Sequence, residues 1–114
     1  MPHIILEYSR NLGDIIEVSK FVHKLHKEIP NHGIDATRLK TRAIECNYSA
    51  VGEEGTHGHM LHATLLLLEG RDLPEKKKYA DAVYKMMKDV VGDQVRHCHI
   101  TLEVRDMATD TYYK

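Results

Sequence analysis

The chain has 114 residues, and its 16 lysines and arginines nearly balance its 17 acidic residues. This length predicts a single domain over residues 1–114 with a modest core. The balanced charge argues against nucleic-acid binding, which depends on a basic surface. No apolar stretch reaches the ~20 residues of a membrane span or the length of a signal-peptide core, so we expect a cytoplasmic protein that does not bind membranes.

The first half of the chain predicts a strand, a helix and a second strand. His3 to Tyr8 is a short Ile- and Leu-rich run typical of a buried strand, and Ser9 to Gly13 reads as a turn. From Asp14 the spacing becomes helical, and Asp14 with Glu17 has the spacing of a capping box. Thr37 to Cys46 alternates as a strand does. The apolar helix face comprises Ile15, Val18, Val22, Leu25 and Ile29.

The second half repeats this order after a polar, glycine-rich connection at Gly52 to Gly58. His59 to Leu68 predicts a strand with a continuous leucine run. Asp72 begins a helix and has Glu75 at the capping-box spacing, and Val95 to Val104 predicts the final strand. The apolar face of this helix comprises Ala80, Val83, Tyr84, Met87, Val90 and Val91.

The two halves form an internal repeat, with units at residues 2–50 and 59–105. A helix separates the two strands of each unit, so we expect them to pair in parallel through a right-handed crossover. The predicted fold class is therefore α/β, a two-layer sandwich of a four-stranded sheet with two helices on one face. Two helices leave the other sheet face uncovered, and we expect other subunits to cover it.

Five short segments occur in an order that matches a known family. They are Pro2 to Glu7 (PHIILE), Gly33-Ile34, Leu39 to Arg42 (LKTR), His62 to Leu65 (HATL), and Gly70-Arg71. With the tandem repeat, they make the chain resemble the tautomerase superfamily, and most closely the 5-carboxymethyl-2-hydroxymuconate isomerase family. No single segment is specific, but their collinear order is.

The resemblance implies that Met1 is removed and that the free amine of Pro2 is the catalytic base. An ordinary α-amino group has a pKa near ~8, and partial burial beside cations lowers it. Such an amine would take a proton from a 2-hydroxymuconate-type dienol and return one to a distant carbon, giving the 2-oxo-3-ene isomer in aromatic-compound catabolism. The resemblance implies no cofactor and a homotrimer.

A carboxylate substrate with a developing enolate requires cations near the base. Lys40 and Arg42 share one face of their predicted strand, and Arg71 lies just before a helix N-terminus, a position that favours anions. These three residues are the predicted substrate-binding residues. The family usually has arginine where this chain has Lys40, and lysine lacks the two-pronged carboxylate contact of arginine.

The second unit of the repeat lacks counterparts of Pro2 and Lys40, and the two cysteines lack a recognisable site pattern. The second unit has Met60 where the first has Pro2, and Cys98 where the first has Lys40, so we expect one active site per chain. Cys46 and Cys98 have neither the number nor the spacing of a disulfide framework or a zinc site, and we expect both to be reduced and partly buried.

Other functions compatible with this sequence come from different classes. The chain has nine histidines, and His57, His59 and His62 lie close together, as do His97 and His99. Imidazole binds transition metals, but no acidic or cysteine ligand has a matching spacing, so we predict no metal site and keep a His-rich metal-binding protein as an alternative. A non-catalytic or differently specific superfamily member, or an interaction module that assembles through its sheet, are the remaining alternatives.

Overall fold

The computed structural model describes residues 1–114 and contains four strands and three α-helices. The strands are β1 (His3–Ser9), β2 (Lys40–Cys46), β3 (His59–Leu68) and β4 (Cys98–Met107). The helices are α1 (Arg10–Gly13), α2 (Val18–Glu28) and α3 (Leu73–Val91), with 3₁₀ turns at Ile29–His32 and Gly52–Glu54. No helix is long and apolar enough to span a membrane.

The strands form one sheet in the order β2-β1-β3-β4. β1 pairs in parallel with β2, and β3 pairs in parallel with β4, as the repeat predicts. The two units meet through an antiparallel pairing of β1 with β3, in which His3 lies opposite Leu66. This pairing brings the end of β3 beside the start of β1.

The core lies between the sheet and the helices on one of its faces. Fully buried side chains of β1 and β3 contribute to a single apolar cluster with the inner faces of α2 and α3. The strand residues are Ile4, Leu6, Leu61, Ala63, Leu65 and Leu67, and the helix residues are Phe21, Leu25, Tyr79, Val83, Met87 and Val91. The predicted α/β two-layer sandwich is therefore confirmed.

No helix of the chain covers the other face of the sheet, which we call the open face. The pairing register places alternate residues of all four strands on it. They include His3, Ile5, Glu7, Lys40, Arg42, Ile44, His62, Thr64, Leu66, Thr101, Glu103 and Arg105.

The start of the first long helix differs from the prediction. Residues 10–13 are not an irregular turn but the helical turn α1, and α2 begins at Val18 rather than Asp14. The predicted capping box at Asp14 is wrong, because Glu17 is the N-cap residue and no side chain caps the helix. Continuation of the helical turn buries Ile16 and leaves Ile15 40% exposed, contrary to the predicted apolar face.

The helix of the second unit, α3, begins as predicted. The Asp72 carboxylate accepts a hydrogen bond of 3.0 Å from the backbone N–H of Glu75, and Pro74 lies in the first turn. The reciprocal half of the capping box is not formed, since the Glu75 carboxylate accepts a 2.9 Å hydrogen bond from the Tyr79 hydroxyl. Only one of the two predicted caps therefore stabilises its helix.

We expect Asp72→Ala to lower the free energy of unfolding by about 0.5–2 kcal/mol, because it removes the acceptor for an otherwise unpaired helix N–H. Asp14→Ala is the matched control, since that carboxylate caps nothing, and it should change stability by less than about 0.5 kcal/mol. Urea unfolding of both variants measures the difference. Equal losses would contradict the assignment of the cap.

Two strand boundaries also differ from the prediction. β2 begins at Lys40 rather than Thr37, because the Asp35 carboxylate accepts hydrogen bonds from both the backbone N–H and the hydroxyl of Thr37 and so forms a turn. β4 runs from Cys98 to Met107, later than predicted, since it pairs along β3 as far as Leu68.

Candidate active site

Pro2 is buried directly before β1. Its carbonyl accepts a 3.1 Å hydrogen bond from the backbone N–H of Lys40, which holds the start of β2 beside the N-terminus. The register continues this contact, since His3 lies opposite Lys40. In this structure Met1 precedes Pro2, so the Pro2 nitrogen is an amide.

Arg71 reaches the same end of the sheet from the other side. β3 runs antiparallel to β1, and the loop after Leu68 therefore lies beside the N-terminus. The Arg71 side chain is only 26% exposed, and its guanidinium donates to the Leu68 carbonyl at 3.4 Å. Its Nε lies 3.9 Å from a carboxylate oxygen of Glu75, which in turn accepts from Tyr79. Two residues of α3 thus hold Arg71 in place.

The α-amine of Met1, one residue before Pro2, is close enough to four cations for their charges to act on it. Burial lowers the pKa of this amine from its ordinary value, and the positive charges of Lys114, Arg71, Arg38 and Lys40, in decreasing order, lower it further. We call these four residues the N-terminal cation cluster. Lys40 and Arg71 were predicted as site residues, whereas Arg38 and Lys114 were not.

Arg42 lies two residues further along β2 than Lys40. It is opposite Ile5 on the open face, and its guanidinium is 3.1 Å from Nδ1 of His3. It is not among the residues that lower the pKa of the amine. The structure therefore brings Lys40 and Arg71 to the N-terminus. Arg42 lies further along β2 and contacts His3, the residue after Pro2.

No cavity of the single chain is lined by Pro2, Lys40, Arg42 or Arg71. The largest, about 630 Å³, lies at the opposite end of β1. Its lining includes Arg10, Asn11, Asp14, Cys46, Asn47 and Tyr48. The candidate residues thus lie at an open surface, and a closed site around them requires a further wall that this chain does not supply.

The histidines do not form a ligand set. No group of three or more His, Cys, Asp or Glu side chains is placed to hold a metal ion. His62 lies on the open face with Nδ1 2.7 Å from the Thr101 hydroxyl. Cys46 and Cys98 are free thiols and partly buried, as expected.

The two βαβ units, joined antiparallel with a proline at the head of the first strand, define a tautomerase-type fold. The family model described as 5-carboxymethyl-2-hydroxymuconate isomerase matches residues 2–114. The chain therefore belongs to this isomerase family. A search of curated proteins finds no significant match.

Solved structures share the fold at low sequence identity. A 5-carboxymethyl-2-hydroxymuconate isomerase from Deinococcus radiodurans R1 is similar with a TM-score of 0.87 and 19% identity, over 99% of this chain and 87% of that one. Pt0534 inactivated by 2-oxo-3-pentynoate has a TM-score of 0.76 and 10% identity, over 96% and 89%. A macrophage migration inhibitory factor-like protein from Entamoeba histolytica has a TM-score of 0.70 and 14% identity, over 99% and 94%.

Proposed function

We propose that this protein is a cofactor-free tautomerase in which the amine of Pro2, freed by removal of Met1, is the general base. The substrate is a 2-hydroxymuconate-type dienol carboxylate, such as 5-carboxymethyl-2-hydroxymuconate, formed in aromatic-compound catabolism. The observation that carries the proposal is the N-terminal cation cluster, whose charges act on the amine of Met1, one residue from the Pro2 nitrogen that becomes a base when Met1 leaves. The family match, which begins at Pro2, supports the same reaction.

The reaction is two proton transfers at one nitrogen. The neutral Pro2 amine takes the proton of the dienol hydroxyl, so an O–H bond breaks and an N–H bond forms. The electron pair moves through the diene, and the resulting Pro2 ammonium gives its proton to the distant carbon, which produces the 2-oxo-3-ene isomer. Substrate and product have the same composition, and the base is regenerated.

The cations have separate tasks in this proposal. Arg71 is held by α3 and binds a substrate carboxylate with its two-pronged guanidinium. Lys40 is exposed beside Pro2 and stabilises the negative charge that develops on the enolate oxygen. Arg42 binds a carboxylate from the open face. Because Lys40 supplies a point charge rather than a fork, we expect a substrate preference different from that of relatives with arginine here.

The test of the proposed function is a direct assay of the natively processed protein. We expect 2-hydroxymuconate to be converted to its 2-oxo-3-ene isomer, followed by ultraviolet absorbance, with phenylenolpyruvate turned over less efficiently because it offers one carboxylate to the cations. Absence of turnover with both compounds, in protein whose mass shows that Met1 has been removed, would disprove the proposed activity.

The missing wall of the site leads us to propose a homotrimer, in which neighbouring chains cover the open face. Ile5 and Leu66 lie on this face among polar residues, and Ile44 is 49% exposed there. Light scattering on the purified protein should give a mass three times that of one chain. A monomer that is fully active would contradict the need for a neighbour.

We expect the charge of Lys114 to control the pH dependence of activity. The residues of the N-terminal cation cluster lower the pKa of the Met1 amine one residue away, and we expect them to act likewise on the freed Pro2 amine, so kcat/KM should reach half its maximum below the pH of ~8 at which an ordinary α-amine titrates. Lys114→Gln removes the largest of the charge contributions, and the midpoint should move upward. Lys27→Gln, a lysine that does not act on the amine, is the control. An unmoved or lowered midpoint in Lys114→Gln would contradict the cluster.

A further inference from the structure

A chain of hydrogen bonds connects the C-terminal tail to Arg42. The Tyr112 hydroxyl is 2.7 Å from Nε2 of His3, and Nδ1 of His3 is 3.1 Å from the Arg42 guanidinium. The His3 and Tyr112 rings meet edge to face, with centroids 5.8 Å apart. His3 thus lies directly after the proposed base and touches one of the proposed substrate-binding residues.

The hydrogen-bonding groups around His3 determine which of its ring nitrogens carries the proton. A guanidinium only donates, so Nδ1 of His3 must carry a lone pair to accept from Arg42. The proton of the neutral ring is then on Nε2 and is donated to the Tyr112 hydroxyl oxygen. Protonation of His3 removes the acceptor for Arg42 and places two cations 3.1 Å apart.

The surroundings of His3 favour this neutral form. Burial lowers the pKa of His3 below 6.5, and the charges of Arg42, Lys40 and the N-terminal amine lower it further. From β3, the residue opposite His3 is the uncharged Leu66, and from the tail the Tyr112 hydroxyl contacts the ring.

The tail that carries Tyr112 is itself anchored. The Glu69 carboxylate accepts hydrogen bonds from the hydroxyl of Thr109 at 2.6 Å and from its backbone N–H at 3.3 Å. The backbone N–H of Tyr112 donates to the Ala108 carbonyl at 3.0 Å. Tyr112 therefore meets His3 from a fixed segment rather than from a free end.

We propose that His3, held by Tyr112, is a positioning residue that orients the guanidinium of Arg42 for a substrate carboxylate. This role rests on the proposed function, because it requires Arg42 to bind substrate. The neutral imidazole fixes one N–H of the guanidinium and leaves its remaining donors for the ligand. Loss of either hydrogen bond weakens substrate binding and leaves proton transfer at Pro2 unaffected.

The kinetic test compares four variants with 2-hydroxymuconate. Tyr112→Phe and His3→Leu should each raise KM about fivefold, the effect of one lost hydrogen bond, with kcat within twofold of wild type. His3→Asn keeps an acceptor for Arg42 and should restore most of the loss. Tyr113→Phe alters a neighbouring tyrosine that is 90% exposed and should change neither constant. An unchanged KM in His3→Leu, or equal KM values for His3→Leu and His3→Asn, overturns the proposal.

The pH dependence of KM distinguishes a positioning role of His3 from a purely structural one, because a structural role would not depend on the protonation of His3. As the pH falls through the lowered pKa of His3, the KM of the wild type should rise relative to that of His3→Asn, since asparagine gains no proton. A ratio of the two KM values that stays constant across the pH range in which NMR shows His3 to gain its proton overturns the proposal.

Nitrogen NMR of the His3 ring tests the hydrogen bonds to Tyr112 and Arg42 independently of activity. The His3 signals are assigned as those that disappear in His3→Asn. We expect the Nε2–H tautomer and a pKa below 6.5. A proton on Nδ1 overturns the proposal. If the wild type has the expected tautomer but turns over no dienol substrate, the proposed function fails and the positioning role fails with it, while the hydrogen-bonded chain itself stands.

Discussion

Pro2→Ala should lower kcat by about two orders of magnitude or more while leaving the fold intact. The pyrrolidine ring prevents rotation about the N–Cα bond and so directs the lone pair of the nitrogen, whereas the alanine amine rotates freely about this bond. The fold should persist because the contact of Pro2 with Lys40 is made by the backbone carbonyl. Steady-state kinetics on 2-hydroxymuconate, with circular dichroism and thermal unfolding, measures both effects.

A second variant separates the amine from the proline side chain. An added residue before Pro2 that the processing aminopeptidase cannot remove keeps the ring but makes its nitrogen an amide. This extended protein should lose at least as much activity as Pro2→Ala. If either protein kept near-normal turnover, Pro2 would not be the base.

Arg71→Ala should raise KM for a dicarboxylate substrate by about 10- to 100-fold, because a hydrogen bond between charged groups contributes about 1.5–3 kcal/mol. Arg71 is three-quarters buried and held by the Leu68 carbonyl and Glu75, so its guanidinium is oriented before substrate binds. Arg71→Lys should have an intermediate effect, since it keeps the charge and loses the fork.

The matched control for this prediction is Arg10→Ala. Arg10 lies at the opposite end of β1, beside the largest cavity. We expect its KM to match that of the wild type, and urea unfolding should show that Arg71→Ala remains folded under assay conditions. An unchanged KM in Arg71→Ala would argue against a substrate-binding role, and an equal rise in Arg10→Ala would place the binding site elsewhere.

The fold could be predicted from the sequence because its signals are local. Alternation along β2 and helical spacing along α3 each identify their element, and parallel pairing follows from the helix between two strands. The boundary at Asp14 was missed because a capping box depends on residue types that also occur where no helix starts. The outcome there depends on burial of Leu12 and Ile16 against the sheet, a tertiary effect.

The candidate site was predictable only in part. Lys40 and Arg71 are brought to the N-terminus by strand pairings that the repeat implies. Lys114 reaches the same place from the far end of the chain, and nothing in a short polar tail signals this. The same holds for Tyr112, which looks like an ordinary packing residue until the tail is seen to return to His3.

Intact-mass measurement decides whether a free Pro2 amine is the reactive group of this protein. The natively processed protein is weighed intact, treated with 2-oxo-3-pentynoate, weighed again and mapped by peptides. We predict that Met1 is absent, that each chain gains one whole reagent molecule by addition of the Pro2 nitrogen to the alkyne, and that activity falls in proportion. Retention of Met1 in active protein, or inactivation with the label only on Cys46 or Cys98, would contradict the account.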